Sequence, residues 1–116
     1  MYKLAVEIVR FVDEHQPGWV ESEFMDAEGR RHTIVDKVPV LSIEQLDAAS
    51  KYPQPGFVAC EVLNRWDDDR GRKMVRISTA KPFDIESTEE LSEFVVLSTQ
   101  VSVSPEGDGE TGNIAW

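Results

Sequence analysis

The first eight residues already narrow what this chain can become. Tyr2, Leu4, Val6 and Ile8 alternate with Lys3, Ala5 and Glu7. That period of two suits a strand with one face buried and does not suit a helix. The phase slips at Ile8-Val9 and Phe11 continues on the other parity, as one extra residue in a bulge would cause. Comparable segments recur at 19–25, 30–41, 57–66, 72–79 and 93–103. Short alternating segments at this spacing predict a mainly β fold, either a small barrel or a two-layer sandwich of about six antiparallel strands.

The residues between the segments are turn formers. Asp13 to Gly18 make one turn, and Asp26-Ala27-Glu28-Gly29 and Asp68-Asp69-Arg70-Gly71 make two tight ones, each with glycine where a positive φ is needed. Pro39 cannot donate to a ladder, so it marks an edge or the exit of the third strand. Ser42-Ile43-Glu44-Gln45 has the spacing of a capping box and predicts a short helix over 43–49, and Ser87-Thr88-Glu89-Glu90 predicts one more helical turn. Phe94-Val95-Val96-Leu97 is apolar on both faces, the mark of a covered strand. Residues 104–112 hold three acids, three glycines and a proline and little to bury. The expected organisation is one β-rich domain over 1–103 and a disordered acidic, glycine-rich tail over 104–116.

The chain echoes itself. Gln16-Pro17-Gly18-Trp19-Val20 recurs as Gln54-Pro55-Gly56-Phe57-Val58, each followed by a glutamate and an apolar residue and then by an Asp-x-x-Gly turn ahead of basic residues. A duplicated hairpin would produce this pattern, as would turn chemistry that reuses the same residues. Either reading bears on architecture rather than activity.

Acids outnumber bases 22 to 12 among the 116 residues, a formal net charge of −10. That charge opposes nucleic-acid phosphates and anionic membrane surfaces, and it favours encounter with a basic partner. Cys60 is the single cysteine, so an internal disulfide framework is excluded. The start of the chain has strand character rather than the basic, apolar and cleavage regions of a signal peptide, and no apolar run approaches the roughly 20 residues of a membrane span. A cytoplasmic location is the expectation.

The run Val9-Arg10-Phe11-Val12-Asp13-Glu14, followed by Pro17 to Glu21, Phe24 to Asp26, Gly29-Arg30, Val35 to Val40 and Tyr52 to Gly56, resembles a group of small uncharacterised bacterial β-rich proteins. The resemblance implies a bacterial source and carries no activity. The strand pattern is also similar to the small β-barrels of translation elongation factors.

No nucleophile elbow, phosphate-binding glycine loop or His-Glu-x-x-His motif is present. A metal site would need both histidines, His15 and His32, with carboxylates such as Asp13 and Asp36, but His32 and Asp36 lie ~13 Å apart along one strand, so neither a metal nor another cofactor is expected. Cys60 between Val58 and Val62 reads as a small core residue. Arg70, Arg72, Lys73 and Arg76, joined by Arg30 and Arg31, are expected to pair across strands with Glu21, Glu23 and Glu61. These readings favour a noncatalytic protein-binding module, for instance an acidic immunity or inhibitor protein for a basic partner. Its candidate binding residues are Asp67, Asp68, Asp69, Glu86, Glu89, Glu90 and Glu93, with Trp19 and Phe57 as aromatic contacts. A small ligand-binding or enzymatic barrel around His32 and a structural homodimer are the alternatives.

Overall fold

The computed structural model describes residues 1–103, so the expected tail at 104–116 lies outside the described residues. Seven antiparallel strands form a curled half-barrel: β1 Tyr2–Asp13, β2 Trp19–Met25, β3 Arg31–Lys37, β4 Gln54–Asp67, β5 Lys73–Ser78, β6 Glu93–Leu97 and β7 Val101–Val103. Helix α1, Val38–Leu41, follows β3, and a 3-10 turn, Ser98–Gln100, separates β6 from β7. The strand order is β3-β2-β1-β4-β5-β6, with β7 added to β1.

Strand β1 organises the sheet. One of its edges pairs with β4 from Tyr2 to Ile8. The other pairs with β7 over Tyr2–Leu4 and with β2 over Glu7–Asp13. The register shifts between Ile8 and Arg10, where the sequence alternation slips, and again between Phe11 and Asp13. Bulges bend a strand and increase its twist, which lets one strand serve both ends of a curled sheet. Strand β4 does the same in another way: it leaves β1 after Cys60 and pairs with β5 from Glu61, with a further shift between Val62 and Asn64.

Alternation places Leu4, Val6 and Ile8 inward, where they meet Val20, Ile34, Val58, Val75 and Val96 in one apolar core. Turn residues, in place of a strand ladder, bridge the open side of the half-barrel. Ala27 N–H donates to Val95 O at 2.9 Å, and Thr88 N–H donates to Thr33 O at 2.8 Å. Gln100 Nε2 also donates to Met25 O at 2.8 Å, tying the 3-10 turn to the end of β2.

Three sequence expectations are corrected. The third strand stops at Lys37 because the chain turns into α1, with Pro39 in its first turn, where the missing N–H is not needed. The helix expected at 43–49 is absent: Ser42 Oγ accepts from Glu44 N–H as a local turn, two residues on, instead of capping a helix. The segment 93–103 is interrupted by the 3-10 turn and yields two strands instead of one.

Helix α1 lies across the inner face of β4 at Gly56. A Cβ there would sit 2.6 Å from Leu41 O and 2.6 Å from Ile8 Cδ1. Only glycine allows this approach of helix to sheet.

Candidate functional site

The two Asp-x-x-Gly turns have the same construction. In the β2–β3 turn, Asp26 N–H donates to Arg30 O, Gly29 N–H donates to Asp26 O, and Asp26 Oδ1 accepts from the N–H groups of Glu28 and Arg30. In the β4–β5 turn, Asp68, Arg70, Gly71 and Arg72 make the equivalent four bonds. Gly29 and Gly71 have φ of +82° and +77°. A type I turn completed by a left-handed residue is a standard hairpin solution, and it asks for glycine there.

The expected helical turn at Ser87 is a third copy. Ser87 N–H donates to Leu91 O, Glu90 N–H donates to Ser87 O, and Ser87 Oγ accepts from Glu89 and Leu91 N–H. Serine stands in for aspartate, and Glu90 occupies the glycine slot with φ 65°. The Ser-x-x-Glu spacing therefore marks a turn and not a helix start, because Ser87 bonds forward around a loop that reverses direction.

The three turns are joined. Arg72 Nη1 donates to Ala27 O at 3.2 Å, linking the β4–β5 turn to the β2–β3 turn. Arg30 pairs with Glu89 at 3.2 Å, linking the β2–β3 turn to the 87–91 turn. Between the β2–β3 and 87–91 turns His32 is 4% exposed. Its ring packs against Phe24 and Phe94 at centroid separations of 5.2 and 4.9 Å, and the two phenyl rings meet edge-on at 5.1 Å. Nε2 of His32 lies 2.8 Å from Asp26 Oδ2. Burial alone would raise the Asp26 carboxyl, but the hydrogen bonds from His32 and from the Arg30 and Glu28 amides outweigh it and hold the group below its ordinary range. Asp26 is thus ionised and can only accept, so Nε2 carries the proton. Among the described residues Nδ1 of His32 has no hydrogen-bond partner, and Glu89 Oε1 is 3.9 Å away.

The predicted acidic residues divide into two groups. Asp67, Asp68, Glu89 and Glu93 are paired with Lys73, Arg72, Arg30 and Arg76, at 3.3, 2.7, 3.2 and 3.9 Å. Asp69, Glu86 and Glu90 form no ion pair among the described residues. Asp67 to Asp69 and Glu89 reach the joined turns, and Glu86 and Glu90 share Glu89's segment. Glu93 opens β6 two residues after the 87–91 turn and opposes Ser78, at the end of β5 away from the β4–β5 turn. Trp19 and Phe57 are half-buried and lie elsewhere, each beneath a lysine: Lys37 Nζ is 5.7 Å from the Trp19 ring centroid and Lys3 Nζ 4.1 Å from that of Phe57. The cross-strand pairing expected for the basic cluster holds for Arg31 with Glu23 and is otherwise corrected. Glu21 and Glu23 pair with Arg10 and Arg31, whereas Arg72, Lys73 and Arg76 use acids of their own hairpins and of β6.

The histidines are not brought together. His15 Nδ1 contacts Asp13 Oδ1 at 2.8 Å in an exposed turn, and His32 bonds Asp26 rather than Asp36. Among the described residues no group of three His, Cys, Asp or Glu side chains is placed to hold a metal ion. Cys60 is 2% exposed, and burial pushes its thiol up to about 12. It floors an open cleft of about 720 Å³ lined also by Met1, Tyr2, Glu61, Val62, Lys81 and Pro82, which does not include His32. No described helix is long and apolar enough to cross a membrane.

The Asp26–His32 pair and its bond to the turn were missed from sequence. The usable signal was the Asp-x-x-Gly turn itself: a five-residue loop sets the first residues of β3 beside the last of β2, so Phe24 opposes His32 and Asp26 falls next to it. No protein-family model matches the chain, and no curated protein or solved structure matches it.

Proposed function

We propose that this protein is a noncatalytic protein-binding module that receives a basic protein partner on the acidic turns linked through the β2–β3 turn, as an immunity or inhibitor protein would. The observation that supports this most is Glu90. It holds a left-handed backbone conformation in a position where the two sister turns use glycine, and it forms no ion pair among the described residues. A non-glycine residue there is worth roughly 1–2 kcal/mol of strain. Strained residues persist where function retains them. Asp69 and Glu86 add two further unpaired carboxylates from the neighbouring turn and the same segment. The hydrogen bonds within each turn and between turns fix the backbone, so little ordering would be needed on association.

The test is capture by the full-length protein, immobilised and challenged with native bacterial lysate at low and moderate salt. A variant carrying Asp69→Asn, Glu86→Gln and Glu90→Gln serves as the comparison, since none of these side chains makes an ion pair among the described residues. The reading expects one basic protein that is held by the parent, released by salt and lost by the triple variant. Equal retention by parent and variant, or no specific retention by either, would refute it.

A further inference from the structure

His32 is buried with half of its polar chemistry unused. Among the described residues its Nδ1 is the buried side-chain atom without a hydrogen-bond partner. The atom is directed at Glu89, whose Oε1 is 3.9 Å away on a side chain that is 52% exposed. In the neutral ring Nε2–H is committed to Asp26, so Nδ1 presents a lone pair to a carboxylate oxygen and the two do not bond. A second proton reverses that relation. Nδ1–H becomes a charged donor facing an acceptor, and a movement of about 1 Å by the Glu89 side chain reaches the ~2.8 Å of a charge-assisted hydrogen bond.

We propose that His32 is a proton-operated latch: when charged, it draws Glu89 inward and fastens the 87–91 turn onto the β2–β3 turn. Its link to partner binding rests on the reading of the acidic turns given above, whereas the latch rests on its own geometry. The charged groups around the ring come from every neighbouring element. Asp26 and Arg30 belong to the β2–β3 turn, and Glu89 to the 87–91 turn. Arg72 of the β4–β5 turn is engaged by Asp68 and Ala27 O. From β6 the ring meets Phe94, while Glu93 faces Arg76. Two carboxylates and two phenyl rings thus enclose the imidazole, and the phenyl rings keep the electrostatics of the site strong by excluding water. Charging His32 adds one positive charge behind the acidic surface and withdraws Glu89 from it. A basic partner is therefore held less firmly once His32 is charged.

The latch is tested on the full chain without any partner, by amide hydrogen exchange. The reporter is Thr88 N–H, whose bond to Thr33 O fastens the segment to β3. After correction for intrinsic exchange chemistry, protection at Thr88 should rise about tenfold between pH 8 and pH 5 relative to core amides of β5, the scale of one charge-assisted hydrogen bond. Glu89→Gln should abolish most of that rise. Arg30→Gln, which removes the exposed ion pair but leaves both latch residues, should retain it. A pH-independent Thr88 in the parent, or a full rise in Glu89→Gln, overturns the latch while leaving partner capture unaffected. Loss of partner capture in the triple variant at constant pH bears only on the binding reading.

Discussion

Replacing Gly56 by alanine tests the central packing contact of the fold. The new methyl carbon would stand 2.6 Å from Leu41 O and 2.6 Å from Ile8 Cδ1, with Ile8 Cγ1 at 2.8 Å. An ordinary contact begins near 3.4 Å, so a displacement of about 0.8 Å is required. The neighbours resist it: one is backbone at the end of α1, and Ile8 is fully buried. Overpacking of this kind costs about 1–3 kcal/mol. Alanine also restricts the unfolded chain and returns roughly 0.4–1 kcal/mol. The net loss is therefore about 1–2 kcal/mol, a fall in Tm on the order of 5–12 °C for a domain of this size. Thermal unfolding followed by circular dichroism measures it. Ile8→Val removes Cδ1 and should recover part of the loss in the double variant, giving a coupling of about 0.5 kcal/mol or more. A Gly56→Ala protein within about 1 °C of the parent, or strictly additive single and double variants, would refute the argument that α1 is seated on the sheet through this glycine.

Glu90→Gly should stabilise the fold, because relief of the left-handed strain exceeds the added entropy of glycine by about 0.5–1 kcal/mol; the expected Tm gain is about 2–5 °C, and a loss would show that the Glu90 side chain makes a stabilising contact. The Cys60 thiol, raised to about 12, should resist a disulfide reagent at pH 8 in the folded protein, with only on the order of one molecule in ten thousand as thiolate, and react at once in denaturant. Asp26 contributes to stability in proportion to its lowered folded value: the contribution is complete above its ordinary 3.8 and is lost as pH falls through the lower folded value. The gap in Tm between the parent and Asp26→Asn should accordingly be full above about pH 5 and narrow toward pH 2, and a gap independent of pH would contradict an ionised Asp26 held by its hydrogen bonds.

Much of the sheet was legible because alternation is enforced by burial. The Ile8-Val9 slip was visible as a bulge, and β2 was bounded correctly at Trp19 and Met25, since one face of each strand must be apolar. Helices were misread where a short hydroxyl side chain was decisive. Ser42 and Ser87 carry the same Ser-x-x-Gln/Glu spacing as a capping box, but the hydroxyl satisfies nearby amides whether the chain goes on to coil or to reverse, and sequence spacing does not separate those outcomes. The internal echo resolves into parts that behave differently. Its Asp-x-x-Gly turns coincide in every backbone bond, whereas Gly18 follows a cis Gln16–Pro17 bond with φ +92° and Gly56 lies extended within β4. The candidate site was half legible. The acids of the two turns could be named from sequence, yet their convergence depends on Arg72 reaching Ala27 O and Arg30 reaching Glu89, contacts 45 and 59 residues apart.

The threefold pairing of β1 sets the order in which this chain can be finished. Tyr2 is matched with Cys60 on one side and with Val103 on the other. A ribosome that has released the first hairpin has delivered a strand with one edge open along Tyr2–Leu4, and that edge stays open until residues 101–103 have emerged. This stretch of β1 is thus exposed to other nascent chains until the three-residue strand β7 arrives to cover it. Such long-range pairing also slows closure, which makes β7, the shortest strand in the sheet, the one whose arrival covers the open edge of β1.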